Sequence, residues 1–114
     1  MTGRLTIDER TAGGTCILCP QGDVDLAVSQ DLRRALLARA KAGHDLIVDM
    51  SSVSYIDSSG IASLIEAFQT ARQHNLRFAL AAVPDRAMRV LKLARLDRVL
   101  PLMESVDPTF GDAA

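Results

Sequence analysis

The chain alternates short apolar runs with stretches of helical periodicity, and no other feature narrows its fold so far. Leu46-Ile47-Val48, enclosed by Asp45 and Asp49, is a continuous apolar run of the kind buried on both faces of a parallel sheet. Before it, the spacing predicts a helix from about Val28 to Ala42. Leu32, Ala35, Leu36 and Ala40 share one face of that helix, Arg33, Arg34 and Lys41 lie largely away from it, and Gly43 is the stop. After the run, Asp57-Ser58-Ser59-Gly60 opens a second helix with an Ile61, Leu64, Ile65, Phe68 stripe that ends at His74-Asn75. A buried strand over Leu76 to Val83 follows. Pro84 then starts a third helix with Met88, Leu91 and Ala94 inward, and a last short strand spans about Val99 to Met103. At the N-terminus, Arg4 to Thr11 and residues 15–21 read as a hairpin around Ala12-Gly13-Gly14. Pro20 marks the end of the second strand, and Gly22-Asp23-Val24-Asp25 is a loop. The order is β-β-α-β-α-β-α-β, an α/β arrangement, and helical crossovers between strands require mostly parallel pairing.

With 114 residues the chain is expected to form one domain over 1–114, with a core from about 4 to 106. Thirteen basic against fourteen acidic side chains leave a net charge of −1, which argues against direct nucleic-acid binding. Aromatic residues are 4% with no Trp, so base-stacking platforms are poorly supplied as well. No signal-like segment or run of membrane-spanning length is present, so a cytoplasmic location without membrane insertion is expected. Cys16 and Cys19 have CxxC spacing. Three residues apart on a strand, they point to opposite faces, and no further ligands at zinc spacing accompany them. Two buried, reduced thiols are expected, with no metal and no cofactor.

Topology decides which polar residues meet. The Asp23/Asp25 loop and the Asp57-Ser58 turn both follow strands that end at one pole of the sheet, where open α/β sheets place their sites. Asp23, Asp25, Asp57, Ser58, Ser59 and Gly60 therefore gather there as candidate partner-binding residues. Either Asp57 or Ser58 serves as the helix N-cap, and three capping-type residues precede Gly60 where one suffices. The other reading of Ser58 is a phosphorylation site. A phosphate is electrostatically favoured at a helix N-terminus, Gly60 would let it approach the backbone, and its charge would repel a partner docked on an acidic surface.

Catalytic readings fare worse. A serine nucleophile needs a base within hydrogen-bond reach, but His74 lies roughly 22 Å down the helix that Ser58 opens. His44 precedes the third strand, at the same far pole. A receiver phosphorylated on Asp49 would need a magnesium-binding acidic pair and a lysine after a later strand. Asp8-Glu9 is followed by a hairpin instead of a helix, and Val83 by no lysine. No catalytic residue is therefore assigned. Arg86, Arg89, Lys92, Arg95 and Arg98 recur every three residues, the pattern of a solvated helix face or of a surface meeting an acidic partner.

Asp45-Leu-Ile-Val-Asp-Met-Ser-Ser-Val-Ser-Tyr-Ile-Asp-Ser-Ser-Gly-Ile resembles the signature of the STAS domain, which anti-sigma-factor antagonists and sulfate transporters share. Gly22-Asp-Val-Asp25 is similar to the family's Gly-acid-apolar-Asp loop, and Val90-Leu-Lys-Leu-Ala-Arg-Leu-Asp97 to its leucine-rich close. The resemblance implies a SpoIIAA-like fold, with a mixed, mostly parallel sheet, an N-terminal hairpin strand and helices packed against it. It further implies an anti-sigma-factor antagonist of the SpoIIAA and RsbV type that is not itself an enzyme. The unphosphorylated form would bind an anti-sigma factor that is also a GHKL-type serine kinase, and so release the sigma factor. Phosphorylation of Ser58 would switch binding off, and a PP2C-type phosphatase would reverse it. Asp25 matches the aspartate beside that serine, and Asp57 and Ser59 complete the docking surface. The tail Glu104-Ser-Val-Asp-Pro-Thr-Phe-Gly-Asp-Ala-Ala lacks the final helix of many members, and Gly22-Asp23 stands where Gly-Glu is more frequent. The alternative use of the fold is a cytoplasmic subunit of an ABC-type lipid transporter, or a signalling scaffold.

Overall fold

The computed structural model describes residues 5–111. A hairpin comes first: β1 (Thr6–Ala12) pairs antiparallel with β2 (Thr15–Val24). Then follow α1 (Ser29–Lys41), β3 (Asp45–Asp49), β4 (Val53–Ile56), α2 (Ser58–Gln73), β5 (Phe78–Ala81) and α3 (Asp85–Leu93). A 3₁₀ turn over Leu96–Arg98 and β6 (Leu102–Met103) close the order. The six strands form one sheet in the order β1-β2-β3-β5-β6, with β4 paired to β2, and every pairing except β1–β2 is parallel.

The two sheet faces are covered differently. Leu18, Leu46, Val48 and Leu80 pack with Leu32 and Leu36 of α1, Leu64 of α2 and Leu91 of α3 in the main core. On the opposite face Ile17, Ile47 and Ala81 form a small patch, covered by Met103, Val106 and Phe110. The described part of the tail, to residue 111, has no helix but still packs. The Thr15 hydroxyl donates to Pro108 O (3.0 Å), Arg77 donates to Thr109 O (3.2 Å), and the Arg77 guanidinium lies 4.6 Å from the Phe110 ring centre. Burial of Leu46-Ile47-Val48 on both faces is what its continuous apolar run predicts.

Several expectations are corrected. β4 is an additional strand: only Val53 and Ile56 of its four residues are buried, so it carries no period-2 alternation to read. Pro20 does not end β2, which continues to Val24, so Gly22, Asp23 and Val24 lie in the strand and only Asp25 in the loop. The proline falls in a break, since the β3 pairing stops at Leu18↔Val48 and the β4 pairing starts at Gly22↔Val53. A missing N–H is tolerated where the ladder is already interrupted. Gly22, at φ +91°, begins the bulge that restores pairing. On α3 the inward residues are Ala87 and Leu91 with Met88 partly buried, whereas Ala94 is an exposed C-cap. On α1, Leu37 is buried in addition to the expected set. β5 and β6 are shorter than their apolar runs, and Val99 stands exposed outside β6. Cys16 is buried among the core residues and raised in pKa, mainly by that burial. Cys19 is half-exposed on the other face, so the thiols do point apart but only one is buried.

Candidate functional site

The site sits where β2 and β4 end and α2 begins. Asp57 is the N-cap of α2: its Oδ1 accepts from the Ser59 N–H (2.9 Å), the Gly60 N–H (3.2 Å) and the Ser59 hydroxyl (2.6 Å). The Ser59 hydroxyl is the main cause that holds the Asp57 carboxyl below the usual carboxylate range. Partial burial opposes it, and the N–H groups of Gly60, Ser59 and Leu26 add to it. The Asp57 N–H donates to Val24 O (3.2 Å), which ties the helix start to the end of β2.

This arrangement separates the two serines. Ser59 is half-buried with its hydroxyl committed to Asp57, whereas Ser58, the first residue of α2, is exposed. Among the described residues the Ser58 hydroxyl has no hydrogen-bond partner. The cap is therefore Asp57, and Ser58 is the spare hydroxyl.

Gly60 has a different role from the one its position suggests. It is buried, and a Cβ there would lie 2.7 Å from Ile56 Cγ1, 2.8 Å from Val24 O and 2.9 Å from Val24 Cγ1. Its missing side chain lets α2 press onto β2 and β4, while its N–H is already held by Asp57. It does not offer free backbone to a phosphate. Ser63, one turn further along, is buried and bridges the helices: its hydroxyl lies 3.1 Å from Ser29 O and 3.2 Å from Ser59 O.

Asp25 is half-buried and shapes the loop before α1. Its carboxylate accepts from the Ala27 N–H (3.0 Å), and its carbonyl accepts from Val28 N (3.1 Å) and Ser29 N (2.8 Å). Val28, the N-cap, makes no side-chain cap, and the Asp25 carbonyl takes the first N–H of the helix instead. Asp23 is exposed and in register with Tyr55 of β4. Among the described residues Asp23, Asp25 and Asp57 form no ion pair, so this pole keeps its negative charge. The arginines of α1 are engaged elsewhere; Arg33, for example, makes a bidentate pair with Glu66 of α2 at 2.8 Å for both contacts.

Two neighbours were not anticipated. Leu26, between Asp25 and α1, is 74% exposed with its N–H facing the Asp57 carboxylate, and Tyr55 is 50% exposed beside Asp23. An apolar residue inside a loop was the available signal for Leu26; Tyr55 carried none, because β4 itself was not legible. His74 caps the far end of α2 and His44 precedes β3, so neither ring is near Ser58. Asp49 holds the turn after β3 by accepting from Ser51 N (3.0 Å). Among the described residues no group of three His, Cys, Asp or Glu side chains is placed to hold a metal, and no helix is long and apolar enough to cross a membrane.

The family model of the STAS domain matches residues 6–113. The chain belongs to the STAS domain family. This STAS domain is 28% identical over 82 residues to the anti-sigma-B factor antagonist of Listeria monocytogenes, covering 71% of this chain and 72% of that protein. Its fold is that of the anti-sigma factor antagonist from Mycobacterium paratuberculosis (TM-score 0.82, 22% identity, 90% and 88% of the two chains). SpoIIAA shares it too, in its unphosphorylated form (TM-score 0.69, 17% identity, 90% and 89%) and in the phosphorylated form of the Bacillus protein (0.70, 15%, 90% and 92%). The SpoIIAA-like mixed sheet expected from the sequence is the fold observed.

Proposed function

We propose that this STAS domain is an anti-sigma-factor antagonist switched by phosphorylation of Ser58. Its relatives' names support the antagonist role. One observation supports the site: of the two serines in Asp57-Ser58-Ser59-Gly60, only Ser58 presents a free, exposed hydroxyl. Unphosphorylated, the domain docks an anti-sigma factor through Asp23, Ser58 and the exposed Leu26, with Asp25, Asp57, Ser59 and Gly60 holding that surface in shape. The partner is a GHKL-type kinase acting in the cytoplasm. It transfers the γ-phosphoryl group of ATP to Ser58 Oγ, the hydroxyl proton leaves to a kinase base, and ADP departs. A PP2C-type phosphatase returns the hydroxyl by hydrolysis. The domain supplies no catalytic group and no cofactor; it is the substrate.

The physical effect of the phosphate is local. It adds about −1.5 to −2 charge beside three carboxylates that have no cation partner, and a docked partner is repelled. The test is incubation with ATP and the GHKL-type kinase recovered by pull-down, followed by phosphosite mapping. One phosphate on Ser58, absent in Ser58→Ala, is expected. Mapping to Ser59 or Asp49 overturns the site, and recovery of an ABC ATPase or permease in place of a kinase overturns the antagonist role.

A further inference from the structure

The fold leaves four large apolar side chains exposed among the described residues, and they fall into two pairs of opposite electrical surroundings. Leu26 (74% exposed) and Tyr55 (50%) stand at the acidic pole with Asp23, Asp25 and Asp57. Leu93 (87%) and Val99 (53%) stand where α3 runs into the 3₁₀ turn. Around them Arg89, Lys92, Arg95 and Arg98 are all exposed, and among the described residues no carboxylate lies within ion-pairing distance of any of the four. Lys92, Arg95 and Arg98, with the single acid Asp97, border a cleft of about 440 Å³.

The two patches lie apart. β5 runs parallel to β3, so α3 starts at the pole that holds Ser58, and its nine residues carry the chain back along the sheet to Leu93. A charged patch with an apolar centre is therefore repeated, with the prevailing sign reversed, toward the other end of the same chain. Apolar centres with charged rims are the anatomy of protein interfaces, and complementary rims set the pairing. We infer that the basic Leu93–Val99 surface docks the acidic Leu26–Tyr55 pole of a second copy of this chain.

The contact is heterologous, so each copy keeps one unused half and the association grows with concentration without a fixed size. It covers the face that carries Ser58 and so competes with any other partner of that face. The inference does not depend on Ser58 being a kinase substrate, since both patches exist in the unmodified chain.

The test uses the full chain and two surface variants, Leu26→Glu and Leu93→Asp, in sedimentation velocity. For the wild type, the weight-average mass is expected to rise with concentration in low salt and to return to monomer at about 0.5 M salt, where screening is short-ranged. Each variant alone stays monomeric, with self-association weakened at least ~10-fold, the loss typical of an interface centre. Mixed together, the variants form a one-to-one dimer, because Leu93→Asp retains the acidic pole and Leu26→Glu the basic surface. Wild type that is monomeric at low salt overturns the inference. So does association that survives either variant, or a mixture that yields no dimer. Binding of anionic vesicles through Arg95 and Arg98 without self-association would assign the basic surface to lipid and overturn it as well. Circular dichroism on both variants confirms folding, which substitutions at such exposed positions leave intact.

Discussion

Replacing Gly60 by alanine puts a methyl group where the structure has room for none. The new Cβ would lie 2.7 Å from Ile56 Cγ1 and 2.9 Å from Val24 Cγ1, and 2.8 Å from the Val24 carbonyl oxygen. The two side chains can rotate or shift, but the carbonyl belongs to the last residue of β2 and accepts the Asp57 N–H at 3.2 Å. Relief therefore requires α2 to back away from β2 and β4, which loosens the bond that seats the helix. Overpacking costs ~1–3 kcal/mol, and a backbone oxygen among the contacts puts this case at ~2–3 kcal/mol. Alanine returns at most about 1 kcal/mol in helix propensity, leaving a net loss of about 1–2 kcal/mol. For a domain of this size that is a fall in Tm of roughly 4–12 °C. The assay is thermal and urea unfolding of Gly60→Ala beside Ser58→Ala, whose exposed, unbonded hydroxyl makes it neutral within about 0.5 kcal/mol. A Gly60→Ala protein as stable as wild type refutes the close-approach argument. A large loss for Ser58→Ala refutes the claim that its hydroxyl is free.

Two further outcomes separate scaffold from switch. Asp57→Ala removes the cap of α2 and should cost about 1 kcal/mol at neutral pH. Because folding depresses the Asp57 carboxyl, its contribution is complete above the unfolded value of about 3.9 and is lost as pH falls through the folded value. The stability gap between wild type and variant should thus be widest near neutrality and close in acid, and a gap independent of pH counts against the charged cap. Ser58→Asp should leave Tm unchanged and weaken anti-sigma-factor binding by about 1–3 kcal/mol in calorimetry; unchanged affinity removes the charge-repulsion switch.

How much of this was legible in the sequence depended on the kind of signal. Leu32, Leu36, Leu46, Val48, Leu64 and Leu91 lie in the core as their periodicities require, because helix faces and doubly buried strands repeat over many residues. β4 did not show, since four residues with two exposed in the middle have neither period. Pro20 misled because proline reports a missing donor without saying whether the neighbouring strand needed one there. At the site, the convergence of Asp25, Asp57 and Ser58 follows from topology, which the α/β order already fixes. The division of labour among them does not. Whether Asp57 or Ser58 caps α2, and whether Gly60 faces solvent or the sheet, depends on where α2 starts, and a shift of one residue turns its faces by about 100°.

That division would let one position, Ser58, be phosphorylated as proposed without disturbing the fold. Asp57, Ser59, Gly60 and Ser63 each spend their polar or steric character inward, on the cap, on Val24 and Ile56, and on the seam between α1 and α2. Ser58 spends nothing inward. A phosphate on it would gain ~0.3–1 kcal/mol from the helix N-terminus. Three carboxylates without cation partners stand against that gain. The two effects oppose each other within the domain, so its own stability is nearly indifferent to the modification. A partner seated on Leu26 and Asp23 has no such offset: it meets the full added charge across a closing interface. The free energy of the proposed switch would therefore reside in the complex and not in the fold, so Ser58 variants should move binding while Gly60 and Asp57 variants move stability.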